Sequence, residues 1–191
     1  MTFSAPAPAN ALVVSGSGAI IHLPGNGQNC ALGQFMPHMG LLPGTSAGFT
    51  TANTCVIYPF YVWESVTVEK VGWLNGSAAG GNSCVALYNA ALARLTTTGS
   101  VARAGNSVVQ WVDVANVTLS AGLLYYAAIN HDVITGNQVS GWTLAIGVGA
   151  LAGVQQQVVG ALVLPDPLVP SSWSGVRIVP SVLLATIVGV S

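Results

Sequence analysis

Short apolar runs separated by glycine- and asparagine-rich turns are the feature that most constrains the fold of this sequence. The runs are of strand length, about four to eight residues, and carry many β-branched and aromatic side chains. They are residues 56–63, 66–73, 83–88, 93–96, 107–113, 117–119, 123–129, 143–146, 157–164 and 181–187. No window of helical length keeps an apolar repeat of 3.6 residues. The pattern predicts an all-β fold, an antiparallel β-sandwich of jelly-roll-like type, with turns at residues 75–82 and 120–122.

Residues 1–54 differ in texture from the rest of the chain. They contain no charged residue, and Gly, Pro, Ala, Ser and Asn interrupt every apolar run within a few positions. The runs are too short to bury much surface, yet too apolar for a solvated linker. We therefore expect an extended Gly/Pro/Ala-rich N-terminal arm over residues 1–54, ordered against a neighbouring subunit, and a β-sandwich domain over residues 55–191.

The chain is nearly free of charge. Charged residues make up 5% of its 191 residues, with four basic and five acidic side chains and a formal net charge of −1. About a quarter is usual in a soluble domain. Four cations cannot form the basic patch of a nucleic-acid-binding protein, so we expect no direct contact with nucleic acid. The surface must be neutral, and we expect other subunits to cover much of it.

Neither of the two most apolar stretches predicts a membrane span. A spanning helix needs about 20 consecutive apolar residues. Residues 144–154 are short and rich in Gly and Ala, and residues 178–190 contain Pro180. A secretion signal needs a basic segment before its apolar stretch, and the first basic residue is Lys70. These patterns predict no membrane contact and synthesis in a cytoplasm.

The three cysteines, Cys30, Cys55 and Cys84, are widely spaced and form no CxxC pair. An odd number leaves one over in any intramolecular set of disulfides. We expect small buried hydrophobic side chains in a reducing compartment. A disulfide between chains is the alternative that the sequence leaves open.

No pattern of residues indicates catalysis. The acids are dispersed and form no local pair, and the sequence has no nucleophile elbow, HExxH motif or phosphate-binding loop. We therefore predict no catalytic residue, no cofactor, no metal ligand and no enzyme activity. The pair His131–Asp132 follows an apolar run, and we expect it to cap that strand and face water. The acids are Glu64, Glu69, Asp113, Asp132 and Asp166.

Two tryptophan residues are candidates for binding an uncharged ligand or partner. Trp142 follows residues 136–141 and Trp173 lies within residues 170–175, and both stretches are typical of loops. An indole ring stacks on the apolar face of a sugar, and Asn137 and Gln138 supply uncharged hydrogen-bonding groups. These four residues are candidates for a glycan contact or, equally, for a contact between subunits. Trp63, Trp73 and Trp111 lie on strand patterns, and we expect them in the core.

Residues 56–186 resemble a domain found in structural proteins of tailed bacteriophages. The likeness rests on turns and alternating strands, without a catalytic signature. It lies in residues 58–62 (YPFYV), 66–72 (VTVEKVG), 85–90 (VALYNA), 98–100 (TGS), 117–128 (VTLSAGLLYYAA), 164–165 (LP) and 179–182 (VPSV).

The resemblance implies a β-sandwich module of a capsid decoration, a head fibre, a tail fibre or a receptor-binding part. Such modules are commonly homotrimers and sometimes bind carbohydrate. On this basis we expect a structural component of the virion that assembles with itself and with major capsid or tail proteins, possessing no catalytic residues. The alternative is a carbohydrate-binding receptor-recognition module of a phage tail that contacts a host surface glycan. Head or tail location stays open.

Overall fold

The computed structural model describes residues 11–13, 20–22, 45–48, 51–62, 65–133, 137–143, 155–169, 174–175, 178–180 and 182–187. All regular structure in these ranges is β-strand, as the sequence predicts. The strands are β1 (Ala11–Val13), β2 (Ile20–His22), β3 (Thr45–Gly48), β4 (Thr54–Tyr61), β5 (Val66–Ala79), β6 (Asn82–Asn89), β7 (Arg94–Thr97), β8 (Val101–Ala102), β9 (Val109–Leu119), β10 (Leu124–His131), β11 (Asn137–Thr143), β12 (Gln155–Val158), β13 (Ser174–Gly175), β14 (Ile178–Pro180) and β15 (Val182–Ile187).

The strands form two antiparallel sheets. The first sheet has eight strands in the order β1-β2-β15-β5-β11-β14, with β9 beside β5 and β3 beside β11. The second sheet has seven strands in the order β13-β12-β4-β10-β6-β7, with β8 beside β6. Every pairing is antiparallel. Side chains of both sheets meet in one core, which makes the described part a β-sandwich.

The main core is built by alternation along the central strands. Phe60 of β4, Leu87 of β6 and Ile129 of β10 point from the second sheet toward Trp73 and Leu184 of the first. All five side chains are at most 1% exposed. Burying one such aliphatic side chain contributes about 1.5–3 kcal/mol, so this layer is the principal source of stability.

Strand β5 changes phase once. Val66 and Val68 point into the core, and so do Val71 and Trp73, although Val68 and Val71 are three residues apart. A β-bulge lies there, because the pairing of β5 with β9 jumps between Val68 and Lys70. The bulge keeps four apolar side chains on one face of a strand whose spacing would otherwise place half of them in solvent.

A second apolar layer covers the outer face of the second sheet. It joins Cys55 and Ile57 of β4 to Cys84, Ala86 and Tyr88 of β6, with Ala128 of β10 between them. Residues 159–169, which we call the cover segment, supply Leu164 and Leu168 to this layer, both at most 1% exposed. The middle strands are therefore buried on both faces, which explains their nearly unbroken apolar sequences.

Backbone and side-chain hydrogen bonds fasten the cover segment to the sheet. Asn130 Nδ2 donates to the carbonyls of Ala161 and Leu162, both at 2.8 Å. Tyr88 Oη donates to the carbonyl of Pro165 at 2.8 Å. Arg94 donates through Nη1 to the carbonyl of Leu164 at 2.6 Å. The segment is thus part of the folded core of the domain.

Two predicted boundaries were wrong. The predicted turn at residues 75–82 is strand as far as Ala79, because Asn75 is fully buried and holds the chain in the sheet. The predicted strand at residues 157–164 ends at Val158, where the chain leaves β12 and becomes the cover segment. In both places tertiary contacts outweigh the local pattern.

The described parts of residues 1–54 include three short strands of the first sheet. β2 pairs with β15 through Ile20 and Ile21, and β3 pairs with β11 through residues 45–48. β1 pairs only with β2 among the described strands. The predicted boundary at residue 54 and the contact of an arm with a neighbouring subunit stay predictions.

Candidate functional site

Among the described residues, a dense group of polar side chains surrounds Asn75 of β5. Asn75 Oδ1 accepts hydrogen bonds from Trp73 Nε1 at 2.8 Å and from Arg103 Nε and Nη2 at 3.0 and 2.9 Å. Its Nδ2 donates to the carbonyls of Ala104 and Gly105 at 2.9 and 3.0 Å. One buried amide therefore ties β5 to the loop that joins β8 and β9.

Arg103 brings one of the four basic residues into the interior. The side chain is 7% exposed, and burial lowers the pKa of its guanidinium to about 10. Its backbone N–H donates to the carbonyl of Gly81 at 3.0 Å. The loop beside it is held by Gln110, whose Oε1 accepts from the N–H of Ala104 at 3.0 Å and whose Nε2 donates to the carbonyl of Ala102 at 2.8 Å. These hydrogen bonds fix the position of the loop that carries Arg103.

A serine and a histidine meet beside this group. Ser83 Oγ of β6 lies 2.7 Å from His131 Nδ1 of β10, and both residues are 0% exposed. Burial is the main cause that lowers the pKa of His131 well below its ordinary value, and the charge of Arg103 adds to it. The imidazole is therefore neutral at pH 7. A neutral base beside a hydroxyl has the composition of a nucleophilic pair, but neither group reaches the surface in this conformation.

The pair His131–Asp132 was predicted to cap the strand that it follows, but His131 is the last residue of β10 and Asp132 binds the neighbouring strand β6 instead. Asp132 Oδ1 accepts from the backbone N–H of Asn82 at 2.7 Å, and its Oδ2 accepts from Asn82 Nδ2 at 2.6 Å. The carboxylate thus caps the start of β6. The prediction that His131 faces water was wrong, because its ring is enclosed between β6 and the loop after β8. Sequence reasoning missed Ser83 and Arg103 as its neighbours, since both are distant in sequence.

Three of the four residues predicted to make a glycan or subunit contact lie on one strand. Asn137, Gln138 and Trp142 lie on strand β11, where they pair with Ala79, Gly48 and Val179. The prediction that Trp142 stands in a loop was wrong, because β3 and β5 flank this Asn- and Gly-containing stretch and bond to its backbone. The side chains of these three residues, and the whole of Trp173, lie outside the described residues. Their role in glycan or subunit contact stays a prediction.

Of the tryptophans expected in the core, one is buried there and one is not. Trp73 is fully buried, as predicted. Trp111 is only partly buried and lies on the outer face of the first sheet, so the prediction of a core position was wrong for it. The cause is the phase of β9, in which Val112 takes the inward position next to Trp111. Trp63 lies outside the described residues.

Two of the three cysteines are buried and free, as the sequence predicts. Cys55 and Cys84 are 0% exposed, and Cys84 Sγ lies 3.4 Å from Thr97 Oγ1. Burial, with a smaller effect of Cys84, raises the pKa of the Cys55 thiol. A thiol held in its protonated form is a poor nucleophile, so Cys55 acts as a small apolar side chain. Cys30 lies outside the described residues.

The dispersed acids do not converge on a metal site. Within the described ranges, no group of three or more His, Cys, Asp and Glu side chains could hold a metal ion. Asp113 pairs with Lys70, Asp132 binds Asn82, and Asp166 accepts from the backbone N–H of Arg94 at 2.9 Å. Each of these carboxylates thus has a partner within the fold. In the part of the chain that the structure describes, no helix is long and apolar enough to cross a membrane.

Comparisons with known proteins give no assignment. No protein family matches the chain, and no curated protein is recognised as its relative.

Proposed function

We propose that this chain is a structural subunit of a bacteriophage virion, of capsid-decoration or fibre-like type, which acts by assembly. In this proposal the sandwich is jelly-roll-like, the subunit forms a homotrimer, and the trimer binds a major capsid or tail protein. The proposal rests on the resemblance of residues 56–186 to such proteins and on the character of the described surface.

The observation that carries the proposal is that most of the few charged residues have bonding partners within the chain. Nine residues are charged, and seven remain after Glu64 and Arg177, which lie outside the described residues. Six of these seven have partners within the chain: Lys70, Arg94, Arg103, Asp113, Asp132 and Asp166. Lys70 and Asp113 pair with each other, and the other four charged groups bind uncharged groups of the fold.

Several large apolar side chains of the described residues are exposed. Val169 is 64% exposed, Leu123 and Val158 are each 55% exposed, and Val163 and Val108 are 47% and 46% exposed. Single exposed apolar residues are common on monomers, but few charged residues accompany them in this chain. Obligate interfaces are larger and more apolar than transient ones, so a neutral surface suits permanent contact between subunits.

The test is the oligomeric state of the full-length chain. Native mass spectrometry and light scattering over a wide range of concentration are expected to give a trimer. Because the proposed contact is apolar, the trimer should persist in about 1 M salt, at which the Debye length is near 3 Å. A chain that stays monomeric at every concentration contradicts the proposal. A complex that salt dissociates would show that charge, and not apolar burial, holds the subunits.

A further inference from the structure

A stripe of side chains runs along the outer face of the β5–β9 ribbon. The register pairs Leu74 with Val109, Gly72 with Trp111, and Lys70 with Asp113. These pairs alternate with Val71 and Val112, which point into the core. We call the six outward residues the β5–β9 stripe. It combines an apolar end, one indole ring and one ion pair.

The indole ring of Trp111 lies over residue 72 of β5, where only glycine leaves room for it. A Cβ at Gly72 would fall 2.6 Å from Cε3 and 2.9 Å from Cδ2 of the indole. The ring thus occupies the space that a side chain of β5 would fill. The Trp111 side chain remains partly exposed to solvent.

The ion pair beside the ring is open to solvent. Lys70 Nζ lies 2.7 Å from Asp113 Oδ1, and the two side chains are 43% and 83% exposed. The hydrogen bond to Asp113 and its charge raise the pKa of Lys70, so the lysine is protonated. Asp113 and Trp111 are two residues apart on one face of a strand, a separation of about 6.8 Å. A hydrogen-bond donor, an acceptor and an indole ring therefore lie on one face, and the charge of Glu69 also acts on Lys70, so this surface carries no excess of positive charge.

We propose that the β5–β9 stripe is a binding site for a pyranose unit of a neutral glycan. A sugar ring has an apolar C–H face and a rim of hydroxyl groups. The C–H face would stack on Trp111, while neighbouring hydroxyls would donate to Asp113 and accept from Lys70. A peptide anion or a nucleic acid lacks this match, because the stripe offers no net positive charge.

This inference goes beyond the assembly role and is independent of it. A trimer that binds no sugar would leave the assembly proposal intact and remove this one. A monomer that binds sugar at the stripe would do the reverse.

The experiment titrates the full-length chain with hexasaccharides of glucose, N-acetylglucosamine and mannose. Binding is followed by calorimetry and by the NMR signal of the indole N–H that Trp111→Phe removes. We expect at least one hexasaccharide to bind saturably and to shift that signal. Trp111→Ala should weaken the binding by about tenfold or more, as truncation of a central aromatic anchor does.

A second variant keeps the test informative if Trp111→Ala does not fold. Asp113→Asn removes a charge from a side chain that is 83% exposed and should leave the fold intact. Loss of a hydrogen bond to a charged group should weaken sugar binding by about tenfold. Tyr61→Ala is the matched control, because Tyr61 is an aromatic residue of the second sheet that is 37% exposed. It should bind as the unaltered chain does.

Two results would overturn the proposal. One is the absence of saturable binding for all three hexasaccharides. If Trp111→Ala also dissociates an oligomer, the β5–β9 stripe is a subunit contact and not a sugar site. The other is binding that Asp113→Asn leaves unchanged together with an indole signal that does not move.

Discussion

Acidification should destabilise this protein through His131. The imidazole is 0% exposed, and its Nδ1 lies 2.7 Å from Ser83 Oγ. Burial first, and the nearby charge of Arg103 second, hold its pKa well below 6.5. Below pH 6.5 the unfolded chain therefore binds a proton that the native state does not bind. The free energy of unfolding is unaffected by this residue above pH 6.5 and falls as the pH drops toward the lower, folded-state pKa.

The size of the effect follows from proton linkage. One proton of difference changes the free energy of unfolding by about 1.4 kcal/mol per pH unit. With an unfolded-state pKa of about 6.5, the loss between pH 7.5 and 5.5 is at most about 1.4 kcal/mol, and it reaches that limit when His131 stays neutral in the folded protein throughout. A domain has a total stability of about 5–15 kcal/mol, so the loss is measurable.

Urea unfolding of the full-length chain and of His131→Asn at pH 5.5, 6.5 and 7.5 would measure it. The carboxylates and the other two histidines, His22 and His38, are the same in both proteins and cancel in the comparison. The unaltered chain should lose more than the variant over this range, by up to about 1.4 kcal/mol, whatever the variant costs at pH 7.5. Parallel pH dependences in the two proteins would refute the argument, because His131 would then titrate alike in the folded and unfolded states.

Three further substitutions test the packing. Gly72→Ala should lower the free energy of unfolding by about 1–3 kcal/mol, because its Cβ would fall 2.6 Å from the ring of Trp111; urea unfolding with no loss would contradict the close packing. Leu164→Ala should cost about 2–5 kcal/mol and speed proteolysis within residues 159–169, whereas the control Val163→Ala, at a position 47% exposed, should cost less than about 0.5 kcal/mol. Equal losses would show that the cover segment is not packed. Asn75→Ala should cost about 3–5 kcal/mol in thermal unfolding, because it leaves a buried guanidinium without this acceptor; a small loss would mean that other groups hold that cation.

Much of the sandwich could be predicted because its central strands follow a local rule. Residues 56–60 and 123–129 carry β-branched and aromatic side chains between turn residues, and β4 and β10 form there. The same pattern gave a wrong prediction where residues distant in sequence bury the apolar side chains. Residues 157–164 have the composition of a strand, but Leu164 is buried by contact with the outer face of β4 and β6. No local signal distinguishes an apolar strand from an apolar covering loop.

The polar sites could not be predicted for a related reason. Asn75-Gly76-Ser77 has turn chemistry, yet β5 continues through it because Asn75 satisfies Trp73 and Arg103 inside the protein. Ser83 and His131 are 48 residues apart and meet only because β6 and β10 are neighbours. Spacing along the chain carries no information about such pairs. The register of the strands, once known, accounts for each of them.

The scarcity of charged residues and their pairing within the chain both lower the desolvation cost of covering this surface. An unpaired charge placed in an interface costs several kcal/mol in desolvation, and a paired one costs less. In the described part of the chain, the Lys70–Asp113 pair satisfies both its members, and Asp132 is held by Asn82. A partner that covers such a surface has little desolvation cost to overcome. The attraction to such a partner would then come mainly from apolar burial, worth about 25 cal/mol per Å² before the entropy cost of association. This is why the surface suits a neutral partner, either another subunit or an uncharged glycan, and why salt should weaken neither contact.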